Sequence, residues 1–112
     1  MTVENPVQGV VFYWRPGCGF CARLHRELGQ FDVPLEMHNI WEDQAAAAFV
    51  RSVADGNETV PTVVVGDTSM VNPTGAQVMA ALADCAPHLV PEDYEPPQPG
   101  PMGRTIRRLL GG

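Results

Sequence analysis

Residues 10–28 read "VVFYWRPGCGFCARLHREL". The run Val10 to Trp14 is β-branched and aromatic, the composition of a buried strand. Beyond the break at Pro16 and Gly17, Cys21, Leu24, Leu28 and Phe31 recur at steps of three and four. That spacing predicts an amphipathic helix over 19–31, closed by Gly29 and Pro34. Cys18 and Cys21 therefore fall where a strand gives way to a helix. A pair so placed can hold a metal, staple a loop or exchange disulfides with another molecule.

The chemistry of the two sulfurs differs. Only a thiolate attacks, and a free thiol titrates at about 8.5. Cys18 lies at the helix N-terminus, where unpaired N–H groups and the helix dipole favour an anion. Arg15, three residues earlier, adds positive charge, and Phe20 is expected on the surface beside the sulfur. Cys21 is one turn into the helix, on its buried stripe. Cys18 thus reads as the attacking sulfur and Cys21 as the resolving one. A zinc site needs four ligands. Cys18, Cys21 and His25 offer three, His38 or Cys85 would have to come from elsewhere, and there is no second CxxC, so no resident metal is expected. A structural disulfide across so short a loop would constrain the unfolded chain little. A C-x-x-C between the strand and helix of a βαβ pattern has redox exchange as its specific reading.

The chain has 112 residues, 45% of them hydrophobic, and a net charge of -6, with seven arginines and no lysine. That is the size of one domain with a single core. The acidic balance argues against nucleic acid as a partner, since phosphate binding needs a basic face. No apolar stretch approaches 18 residues, so no membrane span is expected. Neither a basic n-region nor a long apolar run opens the sequence, and three cysteines are too few for a disulfide scaffold, so a cytoplasmic location is expected.

Further along, "PLEMHNI" (34–40) alternates Leu35 and Met37 as a second strand. Residues 42–56 predict a helix with Ala46, Phe49, Val50 and Val53 on one face and Gly56 as a stop. Residues 62–66 and 69–71 read as a hairpin turning at Gly66-Asp67. Asn72 suits a helix N-cap with Pro73 at the first helical position, and the helix that follows carries Val78, Ala81, Leu82 and Cys85, the last read as a small buried hydrophobe. Trp14 and Trp41 are expected as packing or rim residues. The order βαβαββα makes an α/β domain with a four-stranded mixed sheet and helices on both faces, a thioredoxin-like arrangement. The domain is assigned to 1–90, a proline-rich linker to 91–101 and a flexible tail to 102–112.

These residues together resemble the glutaredoxin family, and within it the mycoredoxins, which use mycothiol in place of glutathione. The resemblance covers about residues 9–86 and rests on "CGFC", "AAAAFVRSV", "GNETVPTV" and "NPT" at family-like spacing. It implies a thioredoxin-like fold in which Pro61 is cis and faces the cysteines, leaving the Val60 backbone to pair with an extended substrate. It implies reduction of mixed disulfides between proteins and a small thiol, mycothiol or glutathione, as co-substrate, without a tightly bound cofactor. The partners implied are the small thiol, thiolated proteins and, indirectly, an NADPH-dependent reductase, with the protein acting as a monomer. Arg15 matches a basic residue of many glutaredoxins. Many members also carry a Gly-Gly-x-Asp loop whose carboxylate holds the ammonium of glutathione. Here the loop reads "VNPTG", with Thr74 in that place and Asn72 beside it, and no carboxylate is expected there. Two other readings are a carrier of a [2Fe–2S] cluster and a dithiol donor recycled by thioredoxin reductase.

Overall fold

Val10 and Phe12 are fully buried while Val11, Tyr13 and Trp14 are half-buried, so the first strand, β1 (Val10–Trp14), turns one face to the main core. The computed structural model describes residues 9–94. Helix α1 (Gly19–Gly29) follows β1, then β2 (Leu35–Asn39), helix α2 (Gln44–Val53), β3 (Thr62–Val65), β4 (Thr68–Val71), helix α3 (Gly75–Cys85) and a 3-10 turn, Pro87–Leu89. The strands lie in the order β2-β1-β3-β4. β1 runs parallel to β2 and antiparallel to β3, and β3 antiparallel to β4.

Alternation along β1 places the helices. Phe12 meets His25 of α1 edge to face at 6.2 Å, whereas Tyr13 stacks on Phe49 of α2 at 5.0 Å. Consecutive strand residues point to opposite faces, so α1 and α2 cover opposite sides of the sheet. The α1 side holds Cys21, Leu24 and Leu28 together with Val78, Met79 and Leu82 of α3. The hairpin turns on Gly66, whose φ of +59° at the first of two loop residues suits a type II′ turn.

Several local expectations shift. α2 begins at Gln44 because Asp43 caps it, its carboxylate accepting from the Ala45 and Ala46 amides at 3.0 and 3.1 Å. Asn72 is not the cap of α3. It adopts a left-handed φ of +52° and donates its N–H to Pro61 at 2.7 Å, which extends the hairpin. The cap is Thr74: its hydroxyl accepts from Gln77 N–H at 3.1 Å, and the Gln77 side chain accepts from Thr74 N–H at 2.8 Å. This T-x-x-Q box is a sequence signal that the Asn-Pro pair obscured. Met37 is exposed because β2 is an edge strand with β1 as its partner. Cys85 is also exposed, not buried. The buried residues of α3 are Gly75, Val78, Met79 and Leu82, and Cys85, on the same side as Val78 but two turns further on, is the last residue of the helix, where that side is no longer covered. Pro91–Tyr94 forms a turn packed on the domain, Tyr94 meeting Phe31 edge to face at 5.0 Å. The rest of the expected linker (91–101) and the expected tail (102–112) lie outside the described residues.

Thr74→Ala removes the hydroxyl that accepts from Gln77 N–H, leaving only the backbone half of the box, and should cost about 1 kcal/mol. In a domain this size that is a fall of roughly 4–8 °C in Tm. Thr74→Asp, which can also cap, should melt near the parent. Calorimetry on the three proteins checks this.

Candidate active site

Cys18 ends up at the head of α1 because its own backbone is extended, with φ −90° and ψ 108°, while the next residue is helical. As N-cap it presents Sγ to the Cys21 amide, which donates to it at 3.2 Å. The same sulfur, as a thiol, donates to the Val60 carbonyl at 3.7 Å. Val60 is joined to Pro61 by a cis peptide bond, and its contact with Cys18 puts the loop just before β3 against the head of α1. Cys18 is half-buried and Cys21 is 4% exposed, so one sulfur faces outward and the other faces the core.

Burial, and secondly the hydrogen bond to the Cys18 side chain, push the Cys21 thiol up to about 12. Cys21 therefore keeps its proton at neutral pH. Arg15 does not point along the helix. Its guanidinium sits over the Trp41 ring at 5.6 Å, and Nη1 donates to the Pro16 carbonyl at 3.3 Å. Trp41 is thus a platform for Arg15 as well as a rim residue. Only the sheet brings the two together, since Ile40 N–H bonds to Trp14 O at 2.9 Å and draws the end of β2 beside that of β1.

The first turns of α1 divide the surroundings into two clefts. One, of about 500 Å³, holds Cys18, Cys21 and Arg15 with Trp14, Ala22, His25 and Met37. The other, of about 220 Å³, holds Phe20, Leu24, Asn72, Pro73 and Thr74 with Arg23 and Glu27. The residues singled out in the sequence are therefore split: Phe20, Asn72 and Thr74 share the second cleft, Arg15 and both sulfurs the first, and Val60 touches Cys18 directly. Phe20 is largely exposed.

The second cleft departs from expectation in one respect, for it contains a carboxylate. Glu27 lies against the start of α3, where a Cβ on Gly75 would come within 3.0 Å of Glu27 Oε1. The glycine permits this approach, and the carboxylate gains the N-terminal end of α3. Nothing in the order of residues links Glu27 to Thr74. Packing of α1 on α3 does. Glu27 also pairs with Arg23 at 3.9 Å, so the cleft is not a bare negative site.

The other candidates stand apart. His38 bonds Glu36 at 2.6 Å and stacks on Tyr13 at 5.4 Å, away from both sulfurs. Burial, then Glu36 and Asp43, raise the Tyr13 phenol above its ordinary range. Among the described residues, no three His, Cys, Asp or Glu side chains gather as a metal site and no helix is long and apolar enough to cross a membrane.

The family model described as Glutaredoxin matches residues 10–70, from β1 into β4. A glutaredoxin-like protein of Mycobacterium tuberculosis is 38% identical over 78 residues, covering 69% of this chain and 93% of that protein. Mycoredoxin 1 of Corynebacterium glutamicum is 35% identical over 78 residues, covering 68% of this chain and 95% of that protein. Among solved structures, the thioredoxin-like protein BC3987 superposes with a TM-score of 0.60 at 21% identity, over 67% of this chain and 95% of that one. A buckwheat glutaredoxin in complex with glutathione gives 0.54 at 18%, over 72% of this chain and 76% of that one. At such identities the two structures speak to the fold alone.

The raised Cys21 pKa has a consequence for stability. An unfolded thiol titrates at about 8.5, below the folded value of about 12. Between these values the folded state holds a proton that the unfolded chain has released, so the favourable effect is complete below about pH 8.5 and is lost as pH rises towards 12. Under reducing conditions the urea-unfolding free energy should fall by on the order of 1–2 kcal/mol between pH 8 and 10. Cys21→Ala should lack that part of the fall. Parallel pH dependence in the two proteins would refute the assignment.

Proposed function

The chain belongs to the glutaredoxin family of thiol–disulfide oxidoreductases, and on that premise we propose that it reduces mixed disulfides between proteins and mycothiol, with Cys18 as the attacking sulfur. The observation that carries this reading is the contrast between the two cysteines. Cys18 caps α1, half-exposed, and its sulfur receives the Cys21 amide. Cys21 is buried and keeps its proton.

The Cys18 thiolate attacks the small-thiol sulfur of the mixed disulfide. That S–S bond breaks, its electron pair leaves with the protein sulfur, and the released thiolate takes a proton from water. Cys18 is left in a mixed disulfide with the small thiol. A second small-thiol thiolate attacks that sulfur, frees Cys18 and departs as the small-thiol disulfide. The two electrons come from two small thiols, which an NADPH-dependent reductase regenerates. A protonated Cys21 does not compete with the second small thiol. It takes part only when the pair itself forms a disulfide, which its position one helical turn from Cys18 permits.

Two features support mycothiol over glutathione. The loop Asn72–Thr74 carries no acid, and the carboxylate that faces it, Glu27, already has Arg23 as a partner. An ammonium brought into that cleft meets a carboxylate already shared with Arg23 and the start of α3, so it gains less there than beside an unshared acid on the loop itself. Mycothiol has an acetylated cysteine nitrogen and offers sugar hydroxyls to Asn72 and Thr74. The likeness to Mycoredoxin 1, over nearly all of that protein, points the same way.

Coupled assays with each thiol and its own reductase test this reading. Cys18→Ser should abolish turnover, whereas Cys21→Ser should retain reduction of small-thiol mixed disulfides. Equal loss in both would exclude the one-cysteine route. The unmodified protein should turn over faster with mycothiol than with glutathione, and Thr74→Asp should narrow the difference. Efficient cycling with glutathione and no gain with mycothiol would leave an ordinary glutathione-dependent enzyme.

A further inference from the structure

The larger of the two clefts has no role in binding the small thiol as read above. It runs between α1 and the edge strand β2, on the opposite side of α1 from the Asn72–Thr74 cleft. Its walls are apolar: Trp14 from the end of β1, Met37 from β2 and Ala22 from α1. Phe12 and Met37 are neighbours in the parallel register, so both face the α1 side of the sheet. α1 covers Phe12 completely yet leaves Met37 40% exposed. Cys18 lies at the head of this groove, and the volume of about 500 Å³ is that of a binding pocket, not a packing defect.

Its charge is equally particular. The described residues hold eleven Asp or Glu against four Arg, but none of those carboxylates lines the groove. The groups there that can carry charge, the two cysteines apart, are Arg15 and His25. Arg15 is held over Trp41 with one N–H directed to Pro16 O, which leaves other guanidinium donors free to bind. In a strongly acidic domain, an apolar groove with a cationic rim beside the nucleophile is complementary to an apolar side chain with a carboxylate close by.

We infer that this groove binds the protein half of the mixed disulfide, and that it selects targets carrying a large apolar side chain and an acidic residue next to the thiolated cysteine. The inference rests on the reading of Cys18 as the attacking sulfur. A mixed disulfide has two unlike halves, and Cys18 stands between two unlike clefts. The small thiol takes the polar one at Asn72–Thr74, and the peptide around the target cysteine lies back along α1 into the apolar one. Arg15 binds the target carboxylate, and Met37 and Ala22 set the apolar specificity.

The test uses the full chain and two peptides, one with Leu-Asp beside its cysteine and one with Gly-Lys. Each is presented as its mixed disulfide with mycothiol and with glutathione. The mixed disulfide of each thiol with 2-mercaptoethanol, which has no peptide half, is assayed alongside. The Leu-Asp peptide should be preferred roughly tenfold or more in kcat/KM. Long-range attraction by the acidic domain would favour the Lys peptide instead, so the sign of the preference is diagnostic. In Met37→Glu the preference should drop below threefold or reverse. Ala22→Glu, an exposed substitution on the opposite wall, should do the same. Equal kcat/KM for the two peptides, with the 2-mercaptoethanol disulfide turned over normally, would overturn the groove assignment alone. Failure of every disulfide would overturn the redox reading and the groove with it.

Discussion

The hydrogen bond from the Cys21 amide to Cys18 Sγ is the contact on which the site depends. It exists because the chain passes from strand to helix at Cys18, so that a side-chain atom takes one of the N–H groups left unpaired at the start of α1. The bond gives one sulfur an exposed position at a positive helix end. The same helix then carries the second sulfur, one turn later, into the core. Two cysteines three residues apart thereby acquire different burial and different chemistry from a single local transition.

The rest of the fold holds that transition in place. Phe12, Leu24, Leu28, Val63 and Met79 belong to one buried cluster that fixes α1 over the sheet. The Asn72–Pro61 hydrogen bond extends the β3–β4 hairpin, and the Val60 carbonyl just before it meets Cys18 at the head of α1. The Thr74 box starts α3 at a place where Glu27 can reach it. The functional surface is a convergence of element ends: the ends of β1 and β2, the start of α1, the loop before β3 and the start of α3. Such ends are where backbone groups are unpaired and side chains from distant segments meet.

Much of this was legible in the order of residues. The strand-CxxC-helix transition set the positions of Cys18 and Cys21, because helix periodicity alone puts Cys21 on the buried stripe and Cys18 before it. The element order βαβαββα followed from local signals, since each element is dominated by residues close in sequence. Single positions near element ends were less legible. Asn72 and Pro73 are good cap residues in isolation, yet hydrogen bonding to Pro61 draws Asn72 into the hairpin and leaves the cap to Thr74. Cys85 matches the apolar stripe of Val78 by spacing, but how far along α3 that stripe stays covered depends on tertiary packing.

The sequence by itself determined the fold class, the placing of Cys18 at the head of α1 and the burial of Cys21 one turn later, because these depend on spacings of a few residues and on where a helix begins. Only the tertiary structure decided which groups stand around Cys18. Arg15 meets Trp41 because β1 and β2 end side by side, Glu27 comes up against Gly75 because α1 packs on α3, and Met37 shares a cleft with Cys18 because β2 lies at an edge that α1 does not cover. Those contacts join residues far apart in the chain, and no local periodicity encodes them.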